Sequence, residues 1–222
     1  MTPNQPDAVI FDFDGTIFDS ETPIYRAYAA ALAEVGLELT IPGWATVVGH
    51  GEEDSHRALV AAVGVEFERD DVEARYRRQP RPFDSLPALP GVEALFAELV
   101  AADIPIGVAS SSSESWVHTH LTRLGLRHHV QVIATRDQVD GRTKPDPASY
   151  RYAIEQLGAD PARTVAIEDS APGIAAALGA GLTVVVVPSE ITQHTDLSAA
   201  HHTASSMEAL DLATLTVLLD EP

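Results

Sequence analysis

The chain has 222 residues, of which 45% are hydrophobic and 21% charged, a composition typical of folded domains that excludes bulk disorder. It contains no cysteine, so disulfides, cysteine nucleophiles and cysteine-ligated metal sites are excluded. The formal net charge of −19 disfavours binding to nucleic acids and to anionic membranes. No apolar run approaches the roughly 18 residues that span a bilayer. The polar arm before Ala8 lacks the features of a signal peptide, so we expect a cytoplasmic protein.

Short β-rich runs alternate with helical patterns along most of the chain. The runs that predict strands are 8–13, 104–110, 130–135, 164–167 and 182–187. The segments that predict helices are 91–102, 113–124, 147–158, 172–180 and 206–219. This alternation, with continuous apolar strands, predicts an α/β fold whose doubly wound parallel sheet is covered by helices on both faces.

The stretch from about 20 to 86 interrupts the alternation and predicts only helices. The helices predicted within it begin at Thr22 or cover 53–63 and 70–79. We therefore expect an all-helical domain of residues 19–86, inserted after the first strand into a core domain of residues 1–18 and 87–222. Two bodies joined by two short connections can open and close over a cleft.

Acidic and hydroxyl side chains follow the ends of the predicted strands. The first strand ends in Asp12 and Asp14, the second ends in Ser110, and a later one ends in Glu168 and Asp169. Ligands of open α/β sheets bind outside the carboxyl ends of the strands, so we expect these residues to share one site. One carboxylate of the Asp12 and Asp14 pair can attack phosphorus while the other transfers a proton. Glu168 and Asp169 offer the hard oxygen ligands that suit Mg²⁺.

Lys144 is the only lysine of the chain. Its ammonium group can offset the charge of an anionic nucleophile and of an incoming phosphate. Ser110 offers its hydroxyl to phosphate oxygens at a helix N-terminus, and Ser111 can add its backbone N–H. Gly15 lets the chain turn sharply away after the acidic pair.

Together these segments resemble the four motifs of the haloacid dehalogenase superfamily. The matching segments are Asp12-Phe13-Asp14-Gly15-Thr16, Ser110, Lys144-Pro145-Asp146-Pro147, and Glu168-Asp169-Ser170 with Gly173. They occur in the order of that family over nearly the whole chain, and the helical insert is similar to its type-1 cap. The resemblance implies Asp12 as a nucleophile that forms an aspartyl-phosphate and Asp14 as the general acid and base. It also implies Ser110 and Lys144 as the residues that hold the phosphate.

The resemblance further implies a Mg²⁺ site. Its ligands would be Asp12, the backbone carbonyl of Asp14 and Asp169, with Glu168 acting either directly or through a neighbour. The expected partner is a small phosphorylated metabolite, and neither nucleic acid nor membrane. A monomer is compatible with the sequence, which does not determine the oligomeric state.

The branch that the chain resembles contains β-phosphoglucomutases and phosphoglycolate phosphatases. Asp14 favours phosphoryl transfer over dehalogenation, and the insert has no lysine for the Schiff base of phosphonoacetaldehyde hydrolases. The mutases carry a cap histidine where this chain has Ile24, and cap cations that it lacks. We therefore expect a phosphatase of the sugar-phosphate or phosphoglycolate kind, with a phosphosugar mutase as the alternative.

Two further interpretations remain open at this point. Receiver domains also combine clustered acids, a hydroxyl and a lysine on a doubly wound sheet, so a non-enzymatic signalling or binding module is the alternative from another class. In the insert, His50, Gly51 and Glu52 belong to a loop that can enter the cleft and contact substrate. The nine histidines lack the spacing of zinc ligands, and we expect them on the surface.

Overall fold

The computed structural model describes residues 5–48 and 52–220, apart from the side chains of Glu52, Glu53, Asp54 and Asp220. A sheet of six parallel strands forms its centre, in the order β3-β2-β1-β4-β5-β6. The strands are β1 (Ala8–Phe11), β2 (Ile106–Ala109), β3 (Val132–Ala134), β4 (Thr164–Glu168), β5 (Thr183–Val186) and β6 (His202–Thr203). Because β1 lies between β2 and β4, the carboxyl ends of three motif-bearing strands are adjacent.

Helices cover both faces of this sheet. They are α5 (Val92–Ala101), α6 (Glu114–Arg123), α7 (Ala148–Leu157), α8 (Ala171–Gly179) and α9 (Leu212–Asp220). Val9 and Phe11 of β1 pack with α5, α6 and α9, whereas Ile10 packs with α7 and α8. Side chains alternate along a strand, so both faces of β1 are buried and its sequence is continuously apolar. The doubly wound parallel sheet is thus confirmed.

Four helices lie between β1 and the proline-rich segment that precedes α5. They are α1 (Glu21–Ala33), α2 (Ile41–Ala45), α3 (Glu52–Val63) and α4 (Arg69–Tyr76), and we call them the inserted helices. They share an apolar cluster of their own, which includes Leu32, Trp44, Leu59 and Val72. Ile191, from the segment after β5, is also buried in this cluster. None of the described helices combines the length and the apolarity needed to cross a bilayer.

The structure differs from the sequence predictions mainly at element ends. The last predicted helix is divided, because Asp211 accepts a hydrogen bond of 2.7 Å from the Thr214 backbone N–H and so begins α9 anew. Helix α2 and strand β6 were not predicted, since each is too short for a periodic pattern. The expectation of surface histidines was wrong for His120, which is buried and stacks on Phe18.

Candidate active site

A cavity of about 270 Å³ opens at the carboxyl ends of the central strands, and we call it the strand-end cavity. Asp12 continues β1, and its backbone N–H bonds the Ile167 carbonyl of β4 at 2.8 Å. Ser110 continues β2 in the same way, through a bond of 2.9 Å from its N–H to the Ala134 carbonyl of β3. The backbone hydrogen bonds of the sheet therefore continue for one residue beyond β1 and β2. This fixes the positions of the Asp12 and Ser110 side chains.

Lys144 is the cation at the centre of this site. Its buried ammonium group donates to Asp12 Oδ1 and, at 2.6 Å, to Glu168 Oε1. Tyr150, in the first turn of α7, donates from its hydroxyl to the same Glu168 oxygen at 2.6 Å. The Lys144 backbone N–H donates to Ser111 Oγ at 3.1 Å. These bonds bring the loop before α7 against the ends of β1, β2 and β4.

Burial and neighbouring charges shift the pKa values of the acids in this site. Burial raises the pKa of Asp12 to about 7 against the opposing effect of Lys144. Burial and the charges of Asp12 and Glu168 also raise the pKa of Asp169. Burial lowers the pKa of Lys144, but the two carboxylates beside it outweigh that effect and leave the pKa above its ordinary value. The ammonium is therefore permanently charged, whereas the acids have more negative charge than one lysine neutralises.

The acidic residues fit a divalent cation. One carboxylate oxygen from each of Asp12, Glu168 and Asp169 lies within 4.8 Å of the others. If all three carboxylates are ionised, they leave an excess of two negative charges beside Lys144, which a divalent cation would neutralise. Asp169 Oδ2 is buried and has no hydrogen-bond partner among the described residues, so it needs a cation ligand or a water. Both oxygens of Glu168 already accept hydrogen bonds, so Glu168 anchors Lys144 and the start of α8.

Asp14 is held by neutral donors on the opposite side of the site. Its carboxylate accepts hydrogen bonds from Ser20 at 2.7 Å, from Ser112 at 2.6 Å and from the Trp116 indole N–H at 2.9 Å. A longer contact of 3.4 Å joins it to the Ser110 hydroxyl. Asp12 and Asp14 thus face one cavity in different surroundings: one carboxylate is next to a cation and the other next to hydroxyls and an indole.

The comparisons with known proteins agree with this geometry. Residues 9–187 match the family model of the haloacid dehalogenase-like hydrolases. The chain belongs to this family. The Bacillus subtilis protein YhcW is 35% identical over 94% of this chain and 95% of its own length. The phosphoglycolate phosphatase of Rhodospirillum rubrum is 32% identical over 82% of this chain and 79% of its own length.

A solved structure of the family superposes on nearly the whole chain. It is a haloacid dehalogenase family hydrolase from Deinococcus radiodurans, with bound phosphate and sodium. The identity is 30%, the TM-score is 0.80, and the match covers 99% of this chain and 100% of the other. The two proteins therefore share one fold along nearly their full length.

The structure brings most of the predicted family residues together. Asp12, Asp14, Ser110, Ser111 and Lys144 all line the strand-end cavity, and so does Asp169. Gly15 does not, and its backbone N–H instead bonds the Phe18 carbonyl. At φ +88°, a Cβ on Gly15 would lie 2.3 Å from Asp169 Oδ2, so this glycine makes room for the acid. His50 and Gly51 lie outside the described residues, as does the side chain of Glu52.

Gly173, in the first turn of α8, has a similar role beside Glu168. A Cβ there would lie 1.9 Å from Glu168 Oε2, whose carboxylate cannot retreat because Lys144 and Tyr150 bind it. We expect Gly173→Ala to lower the free energy of unfolding by about 1–3 kcal/mol, the range for overpacked buried sites. Gly179→Ala in the same helix is the control, since its nearest neighbour would be 3.4 Å away. Equal unfolding midpoints of the two variants in urea would contradict the prediction.

Glu21 is an additional acid of the site, at the first position of α1. It lines the strand-end cavity, and its side chain is only partly exposed there. The pKa of Glu21 is raised to about 8, chiefly by burial and then by the charge of Asp14, while the Trp44 indole acts in the opposite direction. This carboxyl therefore binds a proton more tightly than an ordinary glutamate does.

This shift predicts a pH-dependent stability. Folded Glu21 binds its proton more tightly than the unfolded residue, whose pKa is near 4.5, so its contribution is complete below that pH and is lost as the pH rises through about 8. We expect Glu21→Gln to be more stable than the parent at pH 8.5 by on the order of 1–2 kcal/mol, a figure reduced for access to water. Melting temperatures at pH 6 and 8.5, measured in EDTA so that no cation offsets the charges of Asp14 and Asp12, give this difference. Glu98→Gln, at an exposed position, is the control. If the melting temperatures of Glu21→Gln and of the parent change equally between pH 6 and pH 8.5, the raised pKa of Glu21 is refuted.

Several residues of the site were missed by the sequence analysis. Trp116 and Tyr150 lie in the first turns of α6 and α7, Ser20 precedes α1, and Arg136 lines the strand-end cavity from the segment after β3. One signal was available for the two aromatic residues. The helix that follows each strand begins at the edge where the site lies, so side chains in its first turn point towards the same cavity.

Proposed function

We propose that this chain is a Mg²⁺-dependent phosphatase that hydrolyses small phosphorylated metabolites, of the sugar-phosphate or phosphoglycolate kind. The observation that carries the proposal is the position of Lys144, whose ammonium group bridges Asp12 and Glu168 inside the strand-end cavity. A buried cation beside a carboxylate of raised pKa allows a phosphate dianion to approach an anionic nucleophile. The named phosphatase in the family supports the same reaction class.

The first chemical step uses Asp12. One carboxylate oxygen of Asp12 attacks phosphorus, an oxygen–phosphorus bond forms, and the bond from phosphorus to the leaving alcohol oxygen breaks. Lys144 stabilises the charge of the phosphoryl group together with the hydroxyl and backbone groups of Ser110 and Ser111. Asp14, on the other side of the cavity, gives a proton to the leaving oxygen.

The second step regenerates Asp12. Water attacks phosphorus of the aspartyl-phosphate, Asp14 takes a proton from that water, and the bond from phosphorus to the Asp12 oxygen breaks, which releases inorganic phosphate. The donors from Ser20, Ser112 and Trp116 keep the Asp14 carboxylate positioned between the two proton transfers. Each proton given in the first step is thereby recovered in the second.

Asp12, Asp169 and the backbone carbonyl of Asp14 would hold the Mg²⁺ ion, with Glu168 as the residue that positions Lys144. When bound, the ion neutralises charge on the phosphate oxygens and on the nucleophile. The unpartnered Asp169 Oδ2 supports this role for Asp169. Residues 19–86 would act as a cap domain over a core of residues 1–18 and 87–222, because Glu21, Ile24 and Val48 reach the strand-end cavity from the inserted helices.

The phosphosugar mutase is the less favoured candidate. Ile24 lines the strand-end cavity at the position where the mutases carry a histidine, so an apolar side chain faces the reacting groups. The chain also has no lysine besides Lys144 to hold a second phosphate. A mutase must retain a bisphosphate, whereas a phosphatase needs only water.

A phosphate-release screen tests the proposal. The protein is incubated with phosphoglycolate, pentose and hexose monophosphates and 4-nitrophenyl phosphate, with Mg²⁺ or with EDTA. We expect inorganic phosphate from at least one ester in Mg²⁺ only. Formation of glucose 6-phosphate from β-glucose 1-phosphate, faster than phosphate release, would establish the mutase instead. Release from no ester would reject the phosphatase.

Mg²⁺ is also expected to change how stability depends on pH. Without the ion, folded Asp12 has a pKa of about 7 against 3.8 for the ordinary group, so its contribution to stability is lost as the pH rises through about 7. A bound cation favours the ionised carboxylates and removes this loss. The rise in melting temperature on adding Mg²⁺ should therefore be larger at pH 8 than at pH 5.5. An equal rise at both pH values would contradict the acidic cluster as the metal site.

A further inference from the structure

A cavity of about 340 Å³ lies beside the two segments that connect the sheet to the inserted helices, and we call it the connection cavity. Thr16 and Asp19 line it from the segment between β1 and α1, and Leu89 and Pro90 line it from the segment before α5. The Leu89 backbone N–H bonds the Ile17 carbonyl at 2.9 Å, which joins the two segments. The connection cavity shares no lining residue with the strand-end cavity, so its ligand would be distinct from the substrate.

Three carboxylates line the connection cavity without a cation to balance them. They belong to Asp19, Glu190 and Glu208, and no Lys, Arg or His lines the cavity with them. Among the described residues, none of the three has an ion-pair partner. Arg26 lines the adjacent cavity, which shares Asp19 and Glu190, but it forms no ion pair with either residue. The connection cavity therefore has an excess of negative charge.

A buried hydroxyl group in the same cavity lacks a partner. Thr16 is 2% exposed, and its Oγ1 has no hydrogen-bond partner among the described residues. Buried polar groups are almost always satisfied in native proteins, so this hydroxyl group indicates a missing ligand. Every other polar side chain that lines the cavity is also a hydroxyl or a carboxylate, and all of them accept hydrogen bonds. An ammonium group, with three N–H donors and a positive charge, is the complementary ligand.

The three carboxylates of the connection cavity are too far apart for a single metal ion. Among the described residues, only Asp12, Glu168 and Asp169 bring one carboxylate oxygen each within 4.8 Å of the others. Several cationic groups on one flexible molecule can instead reach separate carboxylates. The rest of the cavity lining is mostly apolar and comes from Leu89, Pro90, Val187, Pro188 and Met207. Such a surface suits methylene groups between the cationic ones.

The size of the connection cavity limits the length of that molecule. An engineered apolar cavity of about 150 Å³ holds benzene, which has six non-hydrogen atoms, so the connection cavity has room for about a dozen. A linear aliphatic triamine such as spermidine stays within this limit. Its ammonium groups are separated by short methylene chains, which matches separate carboxylates beside an apolar wall.

We infer that the connection cavity binds a linear aliphatic polyamine, whose ammonium groups pair with Asp19, Glu190 and Glu208 and donate to Thr16 Oγ1. The ligand contacts both connecting segments at once, so its affinity depends on their relative position. This inference goes beyond the proposed phosphatase function, and its test requires no turnover.

Titration calorimetry of the whole protein with spermidine tests the site. Excess Mg²⁺ is present so that the acidic cluster of the strand-end cavity does not compete for ammonium groups. Physiological ionic strength screens the general attraction of cations to a chain with a net charge of −19. We expect one spermidine per chain, bound at least ten-fold more tightly than 1-aminobutane, because a monoamine pairs with only one carboxylate.

Two substitutions of similar size each remove one ligand group. Glu208→Gln should weaken spermidine binding about five-fold, the upper value for an exposed ion pair. Thr16→Val should weaken it by a similar factor, the net value of one hydrogen bond, and should not lower the melting temperature without spermidine because the lost hydroxyl is unsatisfied. Glu98→Gln is the matched control. It removes the same charge at an exposed position outside the cavity, so it should bind spermidine like the parent.

Three results would overturn the polyamine site. They are equal weakening by Glu98→Gln and Glu208→Gln, equal affinities of the parent for spermidine and 1-aminobutane, and no saturable binding by the folded parent. The first would show attraction to the overall charge instead of a site. Each of these results would leave the proposed phosphatase intact, because phosphate release is measured separately.

Discussion

Asp12→Asn is expected to abolish phosphate release while the protein remains folded. The amide is a poor nucleophile, and the reaction loses the oxygen that forms the covalent intermediate. Loss of a nucleophile from a comparable catalytic group costs about 10⁴-fold or more in kcat. The substitution preserves the size of the side chain and leaves Lys144 paired with Glu168, so the melting temperature should change by only a few degrees. Steady-state phosphate release with the best ester of the screen measures the loss.

Asp146→Asn is the matched control for this experiment. Asp146 also precedes a helix and lies in a motif segment, but its carboxylate bonds the Ala148 backbone N–H at 2.8 Å and does not line the strand-end cavity. An asparagine oxygen can accept the same bond, so turnover should be retained. Turnover by Asp12→Asn above one hundredth of the parent value would exclude Asp12 as the nucleophile.

Lys144→Met is expected to have the second large effect, on stability as well as on activity. It removes the ammonium group from two buried carboxylates, those of Asp12 and Glu168. Removing one member of a buried ion pair costs about 3–5 kcal/mol, or roughly 10 °C in the melting temperature of a domain of this size. The loss should be greater at pH 8 than at pH 5.5, because the acidic cluster sheds charge by binding protons in acid.

Two comparisons separate burial from charge in this result. Arg142→Met removes a cation two residues away whose side chain is 53% exposed and 3.8 Å from Asp146, so its stability effect should be small. Combining Lys144→Met with Glu168→Gln should recover part of the lost stability, since one uncompensated carboxylate is then removed, but no phosphate release. Equal losses for the two single variants in urea unfolding would show that the Lys144 pair is not buried in solution.

The central site was predictable because its residues follow strands. Asp12, Ser110 and Asp169 come directly after β1, β2 and β4, and parallel strands bring such positions to one edge. The residue types, together with the family resemblance, then led us to predict phosphate and a divalent cation as the ligands. The predictions of Gly15 and Ser111 as phosphate-binding residues concern roles that distances within the protein alone do not test, and they stay predictions.

The other contacts of the site were not predictable, because they join side chains that are far apart in the sequence. Trp116 and Asp14 are separated by 102 positions, and no local pattern indicates their hydrogen bond. Helix α2 was missed because its sequence, Ile41-Pro42-Gly43-Trp44-Ala45, has a proline and a glycine, which usually indicate a turn.

Ile191 has an energetic consequence for access to the site. Its side chain belongs to the chain segment after β5 but is 2% exposed within the apolar cluster of the inserted helices. Swinging those helices away from the sheet exposes it to water, unless its segment moves with them, at a cost of about 2 kcal/mol. In the proposed cap motion, that cost would favour the closed arrangement by roughly 30-fold. If the inserted helices act as the proposed cap, opening would have to break this apolar contact as well as bend the two connections.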